Sequence, residues 1–206
     1  MRQSSRQRKA KVKRKTKETE IKVSVNVDGK GKNKISTGID FLDHMLDLFA
    51  YHGLFDLEIK ANGDLNIDMH HTNEDIGICL GQAFKKALSD CKGIKRYGDA
   101  EIPMDQARAK VSVDISNRYA FSFKLASSGA GLEPFEAIKG YKIEDAKDML
   151  DSFTKNLNIN LHVEVLQGRD THHVLEAIFK ALGKALDEAT QIDPRRKEIP
   201  STKGVL

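Results

Sequence analysis

Two short stretches of the chain carry residue types that bind metals or move protons. His70-His71-Thr72-Asn73-Glu74 and His172-His173-Val174-Leu175-Glu176 share the pattern His-His-x-x-Glu. Both read as helix starts, which puts His70 and Glu74 on one face a turn apart, and His172 and Glu176 likewise. The second histidine of each pair points about 100° away from the first, so His71 and His173 are free to ligate a second metal. Imidazole with carboxylate suits Mn, Fe, Co or Zn, and the absence of cysteine ligands argues against a closed structural zinc site. The zincin pattern His-Glu-x-x-His is absent, so nothing local supports a metalloprotease. A single His-His pair would read as surface or capping histidines. Its recurrence at matching places, in a chain with seven histidines, favours metal.

The elements that must position these motifs also recur. Ile21 to Val27 alternates apolar and polar as a half-buried strand does, and Asp28-Gly29 marks a turn. Phe41, Leu42, Met45, Leu46, Leu48 and Phe49 fall at helical spacing, with Gly53 placed to end the helix. Phe55 to Ala61 reads as a strand, Asn62-Gly63-Asp64 as a turn and Leu65 to Asp68 as another strand, followed by a helix from about Thr72 to Leu88. The order then returns: strands at Lys110 to Ile115 and Ala120 to Leu125, a helix at Ile143 to Leu157, a strand at Ile159 to Leu166 and a helix at Thr171 to Ala189. An internal duplication of about 100 residues explains this. The expected fold class is α+β, each half a small mixed, antiparallel-rich sheet with two helices on one face. The expected boundaries are a basic disordered extension at 1–13, half-domains at 14–100 and 101–192, and a C-terminal tail at 193–206.

The repeat nominates further ligands. His44 lies 26 residues before His70, and Asp148 lies 24 before His172, so metal-capable side chains occupy near-equivalent positions. The expected sets are His44, His70, His71, Glu74 and Asp148, His172, His173, Glu176. Asp148 alone would read as a solvated helix acid; only the repeat raises it. His52, two turns beyond His44, is placed to line the same cavity, whereas His162 alternates within a strand and reads as structural.

Composition bounds the setting. The chain has 206 residues, 39% apolar and 31% charged, enough for one sizeable core or two small ones fused. No apolar run approaches the roughly 18 residues of a membrane span, and the basic N-terminus lacks the apolar stretch of a secretory signal. Cys79 and Cys91 have no ligand spacing and read as buried free thiols of a cytoplasmic protein. Residues 1 to 17 hold nine Lys or Arg and no acid, leaving 25 basic against 30 acidic side chains in the rest. The segment carries no aromatic for base stacking, so a solvated tail is favoured over nucleic-acid binding.

A family resemblance runs from Arg14 to Leu206. Arg14-x-Thr16-x-Glu18-Thr19, Thr37-Gly38-Ile39, Phe41-Leu42-Asp43-His44-Met45-Leu46 and His70-His71-Thr72-Asn73-Glu74-Asp75 resemble the imidazoleglycerol-phosphate dehydratase family. So do Gly93-Ile94-x-Arg96-Tyr97-Gly98, Pro103-Met104-Asp105, Asp114-x-Ser116-x-Arg118, His172-His173-x-x-Glu176-Ala177 and Pro200-Ser201-Thr202-Lys203-Gly204. The resemblance implies a duplicated half-domain like ribosomal protein S5 domain 2, two Mn²⁺ per active site, and a homo-24-mer with sites between subunits. It implies dehydration of imidazole glycerol phosphate to imidazole acetol phosphate in histidine biosynthesis, with metal stabilising an imidazolate because the carbon-bound proton is barely acidic. It implies substrate contacts at Glu18, His44, His52, His70, His71, Glu74, Arg96, Arg118, His172, His173, Glu176, Lys180, Ser201 and Lys203. Glu18, Glu74 and Glu176 are the candidate catalytic carboxylates, with Glu18 as proton shuttle. Arg96, Arg118, Lys180 and Lys203 would hold the phosphate, with Ser201 as a neutral donor and 193–206 as a substrate-binding tail.

The chain departs from the family pattern in three places. Some members have histidine where Asp148 stands, the usual Ser-Gly-Arg-Pro reads Ser116-Asn117-Arg118-Tyr119, and the tail before Arg14 has no counterpart. Two other readings compete: a di-metal hydrolase acting on a phosphorylated small molecule, which would be richer in Asp with a bridging carboxylate, and a basic non-catalytic protein with structural metals and a nucleic-acid-binding tail.

Overall fold

The computed structural model describes residues 8–125 and 135–206. Alternation of apolar and polar residues builds two sheets: β2 (Thr19–Asn26) turns Ile21, Val23 and Val25 inward, and β6 (Ala107–Asp114) does the same with Ala109, Val111 and Val113. The first sheet has the order β1-β2-β4-β3, with β1 at Lys9–Lys15, β3 at Asn33–Ser36 and β4 at Asp56–Gly63. The second has the order β5-β6-β8-β7, with β5 at Tyr97–Met104, β7 at Ala120–Leu125 and β8 at Asn160–Gln167. All neighbours are antiparallel except β3 with β4 and β7 with β8. Lys13 opposes Lys22 just as Glu101 opposes Lys110, so one half-domain is written twice.

Helices α1 (Asp40–His52) and α2 (His70–Leu88) belong to the first half, α3 (Ile143–Leu157) and α4 (Thr171–Thr190) to the second. The closest helix pairs cross between halves: α2 packs on α3, and α4 on α1. Glycines set these two seams. A Cβ on Gly81 would stand 2.5 Å from the Phe153 carbonyl, and one on Gly183 2.6 Å from the Phe49 carbonyl. The rings of Phe49, Phe84 and Phe153 meet at centroid distances of 5.9 to 6.4 Å, so the halves close over one apolar core. No helix among the described residues is long and apolar enough to cross a membrane.

Three sequence expectations are corrected here. The extension expected to be disordered over 1–13 is ordered from Lys9, where β1 pairs residue by residue with β2; residues 1–7 lie outside the described residues. Every second residue of β1 is a lysine or arginine, but Ala10 is buried and Val12 half-buried between them, and β1 satisfies the backbone groups of β2 that would otherwise form a free edge. Arg8 just before it binds Asp28 and the Thr190 carbonyl. Leu65 to Asp68, expected as a strand, is a turn: Ile67 donates to the Asp64 carbonyl at 2.8 Å and is 69% exposed. The expected boundary at 100/101 cuts β5, so the second half begins at Tyr97.

Candidate active site

The α1–α4 seam brings together one group that could hold a metal. His44 on α1 and His172 on α4 place their Nε2 atoms 2.9 and 3.0 Å from the same Oε1 of Glu176. The ligand atoms of the three residues all lie within 4.8 Å of one another, and no other such group occurs among the described residues. Glu176 is only 7% exposed. Burial works to raise its pKa, but the Lys180 ammonium, 2.6 Å from Oε2, and the hydrogen bond with His44 hold it down at about 2. The carboxylate is therefore ionised at neutral pH. Phe41 presses against the His172 ring at a centroid distance of 5.2 Å and is itself backed by Tyr141.

This grouping differs from the expected sets, which kept His44 with His70, His71 and Glu74. The reason is the cross-half packing: α1 packs chiefly on α4 rather than on α2, because Gly183 lets the two backbones approach. Gly183 faces the Phe49 carbonyl and Gly53 nitrogen, and Gly81 faces the Phe153 carbonyl and Leu157 nitrogen. Phe49 and Phe153 are thus equivalent, and five residues before each stand His44 and Asp148. Asp148 is exposed on α3, and His70 and Glu74 are exposed at the start of α2. The three do not converge as the His44 group does. His70 borders a cavity of about 570 Å³ with Phe41, Asp68 and Tyr141.

The second histidine of each motif meets a turn: for His71 the one between β4 and α2, for His173 the one between β5 and β6. His71 Nδ1 lies 3.0 Å from Asp64 Oδ2, and that hydrogen bond, with the charge of Glu18 adding to it against partial burial, raises the pKa of His71. Glu18 is exposed in the three-residue connection between β1 and β2. In the other half, His173 Nδ1 lies 3.3 Å from Gln106 Nε2, and His173 Nε2 lies 3.5 Å from Asp105. By strand register, Gln106 is the counterpart of Glu18. Sequence reasoning missed Asp64 and Gln106 because both sit in turns. The only signal for Asp64 was its place in Asn62-Gly63-Asp64.

The family profile described as imidazoleglycerol-phosphate dehydratase matches residues 37–186. The chain belongs to this family. It is 56% identical over 173 residues to the imidazoleglycerol-phosphate dehydratase of Geobacillus kaustophilus, covering 84% of this chain and 86% of that one. Against the Bacillus subtilis enzyme the identity is 54% over 172 residues, with the same coverage. The crystal structure of the Staphylococcus aureus dehydratase superposes with a TM-score of 0.78 at 36% identity, over 90% of this chain and 99% of that one. The Pyrococcus furiosus structure gives 0.77 at 37%, over 95% and 100%. The fold class is that of these dehydratases, and the activity is the dehydration of imidazoleglycerol phosphate, a hydro-lyase step of histidine biosynthesis.

Among the remaining dehydratase candidates, several cations are already engaged. Arg96, at a φ of 79°, binds Asp114 through two nitrogens at 2.6 and 3.1 Å and the Pro200 carbonyl through a third at 2.9 Å. It thereby fixes the start of the segment that carries Ser201 and Lys203, whose backbone nitrogen donates to Ser201 Oγ. Lys180 is committed to Glu176 and to Met104 Sδ. Arg118 and Lys203 are exposed, and Ser201 is half-buried. His52 is half-buried, and burial followed by the charges of Lys180 and Lys184 lowers its pKa. His162 sits on the outer face of the second sheet between Ser112 and Ser122, away from the motifs. Two imidazoles and an ionised, buried carboxylate fit a divalent transition metal.

Proposed function

We propose that the dehydration is manganese-dependent, with His44, His172 and Glu176 as one ligand group. The observation that carries this reading is the convergence of two imidazole nitrogens on one carboxylate oxygen across the α1–α4 seam. A metal bound there supplies Lewis acidity toward the imidazole ring, which stabilises the charge left when a barely acidic carbon-bound proton departs. Glu18 takes that proton and returns one to the departing hydroxyl, a role that suits an exposed carboxylate whose charge is felt at His71. Arg118, Lys203 and Ser201 bind the phosphate, and Arg96 holds their tail in place. Lys180 keeps Glu176 ionised and oriented.

A second ligand group draws on His70, His71, Glu74, Asp148 and His173, giving two Mn²⁺ per site. These side chains do not meet within one chain, and His70 and Glu74 are exposed beside a turn that also exposes Ile67. A neighbouring copy completes such sites, in keeping with the 24-subunit shell that the family resemblance implies. Two free cysteines and a highly charged chain support a cytoplasmic reading. The test is chelation of the purified protein followed by readdition of Mn²⁺, with metal counted and mass followed by light scattering. Activity should vanish and return, with two ions per chain; full dehydratase activity in a verified metal-free preparation overturns the reading.

A further inference from the structure

We propose that Asp75 is a positioning residue for Glu18, acting through Arg14 and Thr19 as a clamp on the β1–β2 hairpin. The inference rests on the reading of Glu18 as the proton carrier. Asp75 is 6% exposed and lies one turn beyond His71 on the same face of α2. Its two carboxylate oxygens are divided between the two strands of the hairpin: Arg14 Nε donates to Oδ1 at 2.7 Å from β1, and Thr19 Oγ1 donates to Oδ2 at 2.5 Å from β2. Glu18 stands on the turn between them. Inside the turn, Thr16 Oγ1 accepts from the backbone nitrogens of Glu18 and Thr19 at 3.1 and 2.9 Å. Thr19 is backed by Gly63 of β4, which itself lies close on α2, since a Cβ on Gly63 would stand 1.9 Å from Thr72 Oγ1.

The duplicated half separates function from folding. The register makes Ile102 the counterpart of Arg14 and Ala107 that of Thr19, and the matching His-His-x-x-Glu motifs make Ala177 the counterpart of Asp75. At these three positions the second hairpin therefore meets its helix with apolar side chains and no carboxylate clamp, Ala107 and Ala177 both being fully covered. Its polar contacts with the helix come from the turn itself, at Asp105 and Gln106, and from Met104. The polar triad appears only where the turn carries Glu18; the other turn carries Gln106. The fold does not require the triad, and an ion pair with a 40% exposed arginine adds little stability. What the triad adds is direction, because two bonds to one rigid carboxylate tie down both strands flanking the three-residue turn. A carboxylate that must reach a carbon-bound proton loses rate steeply when displaced by about an ångström, on the order of 10²-fold.

The test exchanges the triad for its counterparts, Arg14→Ile with Thr19→Ala and Asp75→Ala, in the Mn²⁺-loaded assembly. Thr19→Val provides a milder version should the triple variant not fold. We expect kcat to fall about tenfold or more for the triple variant, following the displacement argument, and by less for Thr19→Val. KM and Mn²⁺ affinity measured by calorimetry should stay within about twofold, since neither ligands nor phosphate contacts are touched. Repeated in a Glu18→Gln background, the same exchange should cause no further loss. Native kcat in the triple variant, an equal loss in both backgrounds, or metal affinity falling in step with kcat each overturns the inference. Normal turnover by Glu18→Gln alone refutes the proton-carrier reading and the inference with it, and is distinguishable because it involves no change to the clamp.

Discussion

Gly183→Ala tests the seam on which the metal reading depends. A Cβ at this position would stand 2.6 Å from the Phe49 carbonyl and 3.0 Å from the Gly53 nitrogen, whereas ordinary contact begins at 3.4 Å. Relieving the closer contact requires α1 and α4 to part by about 0.8 Å. Both partners are helix backbone, so no side chain can swing aside. His44 lies five residues before Phe49, roughly 7.5 Å along the same rigid helix, and moves with it. Its Nε2 is 2.9 Å from Glu176, while metal–ligand distances tolerate only about ±0.2 Å. The expected loss of Mn²⁺ affinity is therefore at least about tenfold, the scale seen when a ligand's supporting contacts are removed. Overpacking costs about 1–3 kcal/mol, offset by about 1 kcal/mol from the better helix propensity of alanine. The net is a Tm lower by a few degrees, at about 2–4 °C per kcal/mol for a chain of this size. Gly81→Ala is the matched control, with a Cβ 2.5 Å from the Phe153 carbonyl at the α2–α3 seam. Calorimetric Mn²⁺ titration and thermal scans in chelator read both quantities for both variants. Gly183→Ala binding Mn²⁺ with native affinity despite a lowered Tm would refute the reasoning. A matching metal loss in Gly81→Ala would assign Asp148 a ligand role with His70 and Glu74.

Removing residues 1–7 should leave the β1–β2 ladder intact and the metal-free Tm within about 2 °C, whereas removing 1–15 strips an edge strand with its seven cross-strand pairs and should lower Tm by ten degrees or so; equal Tm values for the two truncations would contradict the role assigned to β1. Glu176 has a folded pKa of about 2 against 4.5 ordinarily, so its stabilisation is fully present above pH 4.5 and is lost as pH falls toward 2. The shift corresponds to about 3 kcal/mol at the limit, and to about 1–2 kcal/mol after allowance for solvent screening. Urea unfolding of chelated protein at pH 6, 4 and 3 should show that increment in the native chain and not in Glu176→Gln, and parallel pH profiles for the two would be the contrary result.

Much of the site was legible because helix geometry and repetition act locally. A four-residue spacing puts His172 and Glu176 on one face whatever surrounds them, and the structure finds their atoms 3.0 Å apart. The pairing of His44 with that motif was not legible. It depends on which helices touch, and that is set by bare backbone at Gly81 and Gly183, two residues whose spacing from the histidines encodes nothing about direction. β1 was hidden for a compositional reason: lysines at alternate positions mask the two-residue period of Ala10 and Val12. Arg96 looked like a free cation because its partners, Asp114 and the Pro200 carbonyl, lie 18 and 104 residues away. Asp148 could be aligned with His44 by the repeat, yet alignment gives equivalence of position and not convergence of ligands.

Duplication supplied two copies of every part, and the copies have diverged in complementary directions. The α1–α4 seam keeps two imidazoles and a buried carboxylate, whereas the α2–α3 seam has Asp148 where His44 would be and leaves His70 and Glu74 exposed. The hairpins diverge the other way. The one beside His173 carries Gln106, an amide that cannot take up and return a proton near neutral pH. The one beside His71 carries Glu18 and the Arg14–Asp75–Thr19 clamp. On the proposed assignment, the metal group thus belongs to the motif whose own hairpin has no proton carrier, and the proton carrier belongs to the motif whose own seam has no such group. Neither half-domain is sufficient, and the chemistry needs the first hairpin of one half brought to the seam of the other. In the proposed assembly, a neighbouring copy makes that junction at the exposed face of His70 and Glu74, bordered by the exposed Ile67 turn.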